Sequence, residues 1–195
     1  MKQRKPYHHG NLREALLKAS LKLIAENGPA GFTLREVARR ADVSHNAPYR
    51  HFQDKDDLLA AVAAEGYREL TEAMTKASGE HANARERLKH AGLAYIAFAL
   101  RRPEHFAVMF DAQLPKHTYP KAAEASENAF AVLVGLVREC GMGESPSDDP
   151  LRPALLAWSM VHGIAKLAIT GRLPYRSNAK ILEFAAFVID ESLPD

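Results

Sequence analysis

Apolar positions along this chain recur every three or four residues almost from end to end, and nowhere do they alternate. The pattern predicts an all-α fold of about nine helices. Leu12, Ala15, Leu16, Ala19 and Leu23 form a first stripe, opened by Asn11 and stopped at Asn27-Gly28 before Pro29. Leu34, Val37, Ala38 and Ala41 form a second, short one. A third runs from about Lys55 to residue 77 through Leu58, Leu59, Val62, Ala63, Gly66, Leu70 and Met74, and Ser78-Gly79-Glu80 breaks it. Further helices are predicted from Ala84 to Arg101, from Pro103 through Phe110, from Lys121 to Glu139, from between Asp149 and Pro153 to Thr170, and from Ser177 to Glu191. Gly141 and Gly143 stop one of these, and Gly171 another.

The stretch from Thr33 to Lys55 carries the most local information. Thr33 is a good N-cap, and Glu36, three residues on, completes a capping box. Phe32 and Val37 can close a hydrophobic staple over it. Arg35, Arg39 and Arg40 stay outside. Asp42 tolerates the left-handed conformation that must turn the chain, though less well than glycine. Val43 plugs the turn. Ser44 can cap a second helix from about His45 to Phe52, whose outer face would carry His45, Asn46, Tyr49 and Arg50 without an acidic group. Pro48 falls near the fourth helical position and sacrifices only an early hydrogen bond. Asp54 can cap the following long helix, with Asp57 at its third position. Lys55 then sits at the positive end of the helix dipole, where a cation is unfavourable unless an anion such as a phosphate lies outside. Two short helices, a tight turn and a polar outer face describe a helix-turn-helix, although an ordinary helical hairpin with a solvated face has the same pattern.

These residues resemble a known family. Phe32-Thr33-Leu-Arg-Glu-Val-Ala, Ala41-Asp42-Val43-Ser44, Tyr49-Arg50-His51-Phe52 and Lys55-Asp-Asp-Leu-Leu59 together resemble the amino-terminal domain of the TetR family of transcriptional regulators, over roughly residues 10–60. Two positions depart from the family's usual pattern. Asp42 stands where glycine is commonest, and Pro48 where an aliphatic residue is commoner, which should alter the pitch or depth of the recognition helix. Trp158-Ser-Met-Val-His162-Gly163, with Arg102-Pro103-Glu104-His105-Phe106-Ala-Val-Met109-Phe110, looks like the carboxy-terminal domain of a TetR subgroup named for its Trp-His-Gly signature. The resemblance implies a flexible basic arm (1–10), a three-helix DNA-binding domain (11–56) and a helical domain for ligand sensing and dimerisation (57–195).

Charge sharpens this division. Residues 1–53 hold ten Lys and Arg against four acids, and the remainder holds 16 against 20. A basic head on an acidic body is the electrostatic layout of a nucleic-acid-binding domain joined to a second domain. The basic arm can lie along phosphates or in a minor groove, or be a disordered tail. Its adjacent His8 and His9 lack further spaced ligands for a metal. Cys140 is the single cysteine, so no intrachain disulfide or cysteine-zinc site is expected. No stretch reads as a signal peptide or membrane span, and a cytoplasmic protein without a cofactor is expected.

The last two long helices are apolar nearly all round. On the first, Leu155, Trp158, His162, Ala165 and Ile169 make one face, and Leu156, Met160, Gly163, Ile164, Leu167 and Ala168 another. On the second, Ile181, Leu182, Phe184, Ala185, Val188 and Ile189 behave similarly. Helices with two apolar faces pack on two sides, which here means a core and a second subunit, or a core alone. Tyr95, Phe98, Phe106, Met109, Phe110, Phe130, Trp158 and His162 are candidates to line a largely apolar ligand pocket, although residue by residue an aromatic stripe is more often plain core.

The reading that follows is a homodimeric, ligand-released repressor of an inverted-repeat site on double-stranded DNA, and not an enzyme. Its DNA-contacting candidates are Thr33, Arg35, Ser44, His45, Asn46, Tyr49, Arg50, His51 and Lys55. His45 and Asn46 are expected on base edges, Thr33, Tyr49 and Lys55 on phosphates, and Arg50 on a phosphate rather than a base. The alternative is a helical binding protein or enzyme whose pocket is its function, with catalysis dependent on His105 or His162. Operator, ligand identity and regulated genes are not encoded legibly.

Overall fold

The computed structural model describes residues 12–142, 149 and 151–193. Over these residues the chain forms eight α-helices and one 3₁₀ turn: α1 (Leu12–Asn27), α2 (Leu34–Arg40), the 3₁₀ turn (Pro48–Arg50), α3 (Lys55–Gly79), α4 (Ala84–Arg101), α5 (Pro103–Asp111), α6 (Pro120–Glu139), α7 (Arg152–Ile169) and α8 (Asn178–Ser192). The expected cap at Asn11, the basic arm and the stop at Gly143 lie outside the described residues.

The chain divides into two compact units, one within Met1–Ala64 and Glu104–Ala122, the other within Glu65–Pro103 and Ala123–Asp195. In the first unit α1 packs on α2 through a wide apolar face that includes Leu16, Leu17 and Leu23, all buried with Val37 and Ala38 of α2. Its buried Ser20 satisfies its hydroxyl by donating to the Leu17 carbonyl at 2.8 Å. Gly28 closes α1 at φ 73°, with its N–H on the Ile24 carbonyl.

At the end of α2 the turn residue is Asp42, at φ 54°. The Val43 N–H reaches back to the Ala38 carbonyl at 3.0 Å, and the Asp42 N–H to Arg39 at 3.2 Å. This pair of bonds is the Schellman closure, normally built on glycine. The Cβ of Asp42 sits in a conformation costly for most L-residues. Asp42→Gly should therefore stabilise the fold by up to about 1 kcal/mol, and Asp42→Ala should not. Thermal melts of the two variants against the parent check this. A lower melting temperature for Asp42→Gly would contradict it.

The expected second helix over His45–Phe52 does not form as an α-helix. The chain winds in three-residue steps: the Ala47 N–H bonds to the Ser44 carbonyl (2.9 Å), Arg50 to Ala47 (3.3 Å) and His51 to Pro48 (2.9 Å). Ser44 is not its cap either; the 3₁₀ turn starts after Ala47, without a side-chain cap. The cause is Pro48. It has no N–H to offer the Ser44 carbonyl, so Ala47 satisfies that acceptor one residue earlier and tightens the winding. Pro48 itself is fully buried and anchors the segment.

In the second unit α4 packs on α7 and α8, and α7 also touches α8. Ile96, Phe98, Ala99, Ala154, Ala165 and Ala185 fill the centre with no solvent exposure. Gly92 marks the closest approach: a Cβ there would lie 3.1 Å from Ile189 Cδ1 and 3.3 Å from Val161 Cγ1. Asn83 caps α4 and Ser177 caps α8 through their side chains. No helix among the described residues is long and apolar enough to cross a membrane.

Candidate functional site

The first unit carries an exposed polar segment on a firmly braced mount. The capping box of α2 is complete: Thr33 Oγ1 accepts from the Glu36 N–H (3.3 Å), and Glu36 Oε2 accepts from the Thr33 N–H (2.8 Å) and hydroxyl (2.8 Å). Those donated bonds hold the Glu36 carboxyl below its ordinary range. Arg40, expected simply outside, instead forks across to α1, giving Glu26 two bonds at 2.6 and 2.7 Å. The guanidinium likewise lowers the Glu26 pKa. Both contacts are thus retained above the ordinary carboxylate range and are lost as pH falls through the lowered values. Sequence periodicity missed the clasp because its partners lie 14 residues apart on different helices.

On this mount Arg35, Ser44, His45, Asn46, Tyr49, Arg50 and His51 are all exposed, whereas Ala47, Pro48 and Phe52 are buried. Tyr49 stands 52% exposed, a large aromatic held out among cationic and hydrogen-bonding groups. Within the 3₁₀ turn Arg50 follows Tyr49 by a third of a turn. The segment's far end is pinned by Arg13 of α1, whose guanidinium lies 5.5 Å from the Phe52 ring centre.

Asp54 caps α3 as read from the sequence, with Oδ1 accepting from the Asp57 N–H at 2.8 Å. Lys55 has a role the sequence did not disclose. Its ammonium donates to the Ala30 carbonyl (3.2 Å) and lies 5.6 Å from the Phe32 ring centre, so it ties the α1–α2 loop to α3. Only one of its three donors is used there, and a phosphate can take another. For the phosphate contact expected from the sequence, Lys55→Ala should reduce the salt slope of duplex binding by about one unit with little change in sequence preference. An unchanged slope would leave Lys55 the structural tie alone.

The second unit holds an interior polar relay. Trp158 Nε1–H donates to the Tyr95 oxygen (3.3 Å), and that oxygen lies 2.9 Å from His162 Nδ1. The indole can only donate, so the Tyr95 oxygen accepts there, and the direction of its bond with His162 follows the imidazole tautomer. Burial pushes the Tyr95 phenol well above its ordinary pKa, so it stays protonated. Phe130 packs on Trp158 with ring centres 5.9 Å apart. Beside the relay lies a cavity of about 40 Å³, lined mainly by apolar groups including Met74, Gly92, Tyr95, Leu133, Trp158 and Val161. Of the eight candidate pocket residues, Tyr95 and Trp158 line this cavity, and His162 and Phe130 support them. Phe98 is wholly core. Phe106, Met109 and Phe110 belong to the first unit, where the Phe106 and Phe110 rings pack 4.7 Å apart.

Comparison with known proteins fits both units. The profile for "Bacterial regulatory proteins, tetR family" matches residues 16–62, and that for "Tetracyclin repressor-like, C-terminal domain" matches residues 88–191, more than half of the chain. This chain belongs to the TetR family. The description of the matched carboxy-terminal domain does not distinguish the Trp-His-Gly subgroup within TetR. The structure of a protein of unknown function from Rhodococcus sp. RHA1 is 34% identical, with 98% of this chain and 100% of that one covered and a TM-score of 0.79. The HTH-type transcriptional repressor Rv3405c of Mycobacterium tuberculosis is 38% identical over 61 residues, 31% of this chain. That match spans only about a third, 32%, of the relative's own length. The regulator FadR of Bacillus subtilis, solved with stearoyl-CoA, shares the fold at a TM-score of 0.75 and 18% identity, covering 92% of this chain and 97% of that one.

Proposed function

We propose that this chain is a homodimeric, sequence-specific DNA-binding regulator of the cytoplasm, a repressor released from an inverted-repeat operator by a largely apolar small molecule. The observation that carries the reading is the exposed segment Ser44–His51 on a capped and clasped head, in a chain of this family. His45 and Asn46 read base edges; Thr33, Arg35, Tyr49, Arg50, His51 and Lys55 position the backbone. The repressor name of the mycobacterial relative and the acyl thioester bound to FadR support the two halves of this reading.

The ligand site rests on Tyr95, Phe130, Trp158 and His162. The adjoining cavity, at about 40 Å³, holds a few waters at most. A ligand therefore binds by opening it. Met74 lines the cavity and stands on α3, the helix whose first residue is Lys55. Displacing Met74 moves α3, and with it the spacing of two heads that must sit about 34–36 Å apart, or a multiple of that, to enter successive major grooves. A ligand releases DNA only as far as it prefers the wrongly spaced state.

The reading is tested by anisotropy of a labelled duplex, titrated with protein and then with apolar acids and their coenzyme A thioesters. One of these should both bind and lower duplex affinity about 10-fold or more, within the usual range of coupling between sites. Met74→Ala should keep both affinities within a few-fold and reduce the release. Ligand binding that leaves duplex affinity untouched would overturn the release mechanism.

A further inference from the structure

Asn83 caps α4 by accepting from the Glu86 N–H at 3.2 Å, which fixes Glu86 in the first turn and His90 one turn beyond, on the same face. His81 lies in the turn between α3 and α4, its own N–H on the Ser78 carbonyl at 3.3 Å. That turn lays the His81 ring on the His90 ring, with centres 3.7 Å and planes 24° apart. His90 Nδ1 sits 2.8 Å from the Glu86 carbonyl oxygen. A backbone carbonyl can only accept, so Nδ1 donates here, which leaves Nε2 of the neutral ring as the nitrogen for a metal, the anchoring that metal-bound histidines use. The Glu86 carboxylate is 3.6 Å from Nδ1, beyond a hydrogen bond.

We infer that His81, Glu86 and His90 form a site for one divalent transition-metal ion, zinc first by donor set. One donor atom from each residue lies within 4.8 Å of the other two. Tetrahedral zinc, with bonds of about 2.0–2.1 Å, spaces its ligand atoms about 3.3 Å apart. These half-buried side chains therefore draw their donor atoms together by at most about 1.5 Å, and the two stacked rings splay so that each in-plane lone pair meets the ion. Two imidazoles and one carboxylate suit zinc and its first-row neighbours, and leave a fourth position for water. The cations of the same helix do not oppose the ion. Arg85 donates to the Asp190 and Leu193 carbonyls, Arg87 pairs with Glu139, and Lys89 with Asp190. A bound ion ties the α3–α4 turn to α4, independently of the ligand cavity.

The test uses the full chain with His8 and His9 replaced by Ala as parent, so that the adjacent imidazoles of the arm add no binding. Zn²⁺ is titrated by calorimetry and Co²⁺ by visible absorption. We expect one ion per chain, a tetrahedral Co²⁺ spectrum, and a higher melting temperature with Zn²⁺. His81→Ala and His90→Ala should each weaken binding by about 10-fold or more and cancel the thermal shift. Glu86→Gln, which keeps the side chain's shape, should weaken it as well. Stoichiometric binding that survives the His81→Ala/His90→Ala double variant, or no binding by the parent, overturns the assignment. Circular dichroism matching the parent confirms that the half-exposed variants are folded.

Discussion

Asn46→Ala should weaken binding to the operator by about 30-fold or more at near-physiological salt and relax discrimination at one base position in each half-site. Asn46 is exposed on the segment that leads into the 3₁₀ turn, and its amide can pair bidentately with adenine. Such a pair is worth about 1–3 kcal/mol of discrimination, and a two-fold dimer makes it twice. The loss is therefore about 2–6 kcal/mol, and it should leave the salt slope unchanged, since no phosphate contact is removed. Arg50→Ala, within the 3₁₀ turn itself, should behave oppositely: a shallower slope with base preference retained. The measurement is duplex affinity against a panel of single-base substitutions at several salt concentrations. A uniform loss across all sequences for Asn46→Ala would move Asn46 to the backbone and leave base readout to His45.

The second large effect concerns the proposed dimer. Leu156 of α7 and Phe187 of α8 stand 68% and 61% exposed, and Leu155 and Leu167 are further exposed apolar residues of α7. Gly163 faces open space, with nothing within 4 Å of where its Cβ would be. Large apolar side chains beside a vacant glycine are what a close helix-to-helix contact between copies of this chain requires. Burying a Leu or Phe side chain is worth about 1.5–3 kcal/mol, and two-fold symmetry buries each twice. Leu156→Asp/Phe187→Asp removes these terms and would place four carboxylates in the contact. Dimerisation should weaken by about a thousandfold or more. Sedimentation should then show monomers at micromolar concentration. Binding to an inverted repeat should fall with it, while a single half-site keeps its weak affinity. An intact dimer would put the interface elsewhere.

Much of this was legible locally. The capping box at Thr33, the left-handed Asp42, the cap at Asp54 and the bounds of α4 all depend on residues within four positions of one another, where side-chain and backbone chemistry decides the outcome. The 3₁₀ winding at Pro48 departs from the helix expected there because the missing N–H is more than one lost bond: the freed Ser44 carbonyl recruits the Ala47 N–H and tightens the segment. What stayed hidden is non-local. The Arg40–Glu26 clasp, the Lys55 tie to Ala30 and the Tyr95–His162 bond join residues 14, 25 and 67 positions apart. Both members of the last pair read as candidates, but only packing brings them together. Periodicity also could not separate pocket from core: Phe98 and Tyr95 share a helix stripe, yet one is wholly enclosed and the other lines the cavity.

The most direct test of the central claim is selection of duplex DNA from a random pool with purified protein at near-physiological salt. The account predicts an inverted repeat with half-site centres one helical turn or a multiple apart, and adenine preferred at one position of each half-site. Recovery of no motif, with only weak and steeply salt-sensitive binding, would contradict it and favour the alternative of a pocket protein or enzyme with an incidental basic head.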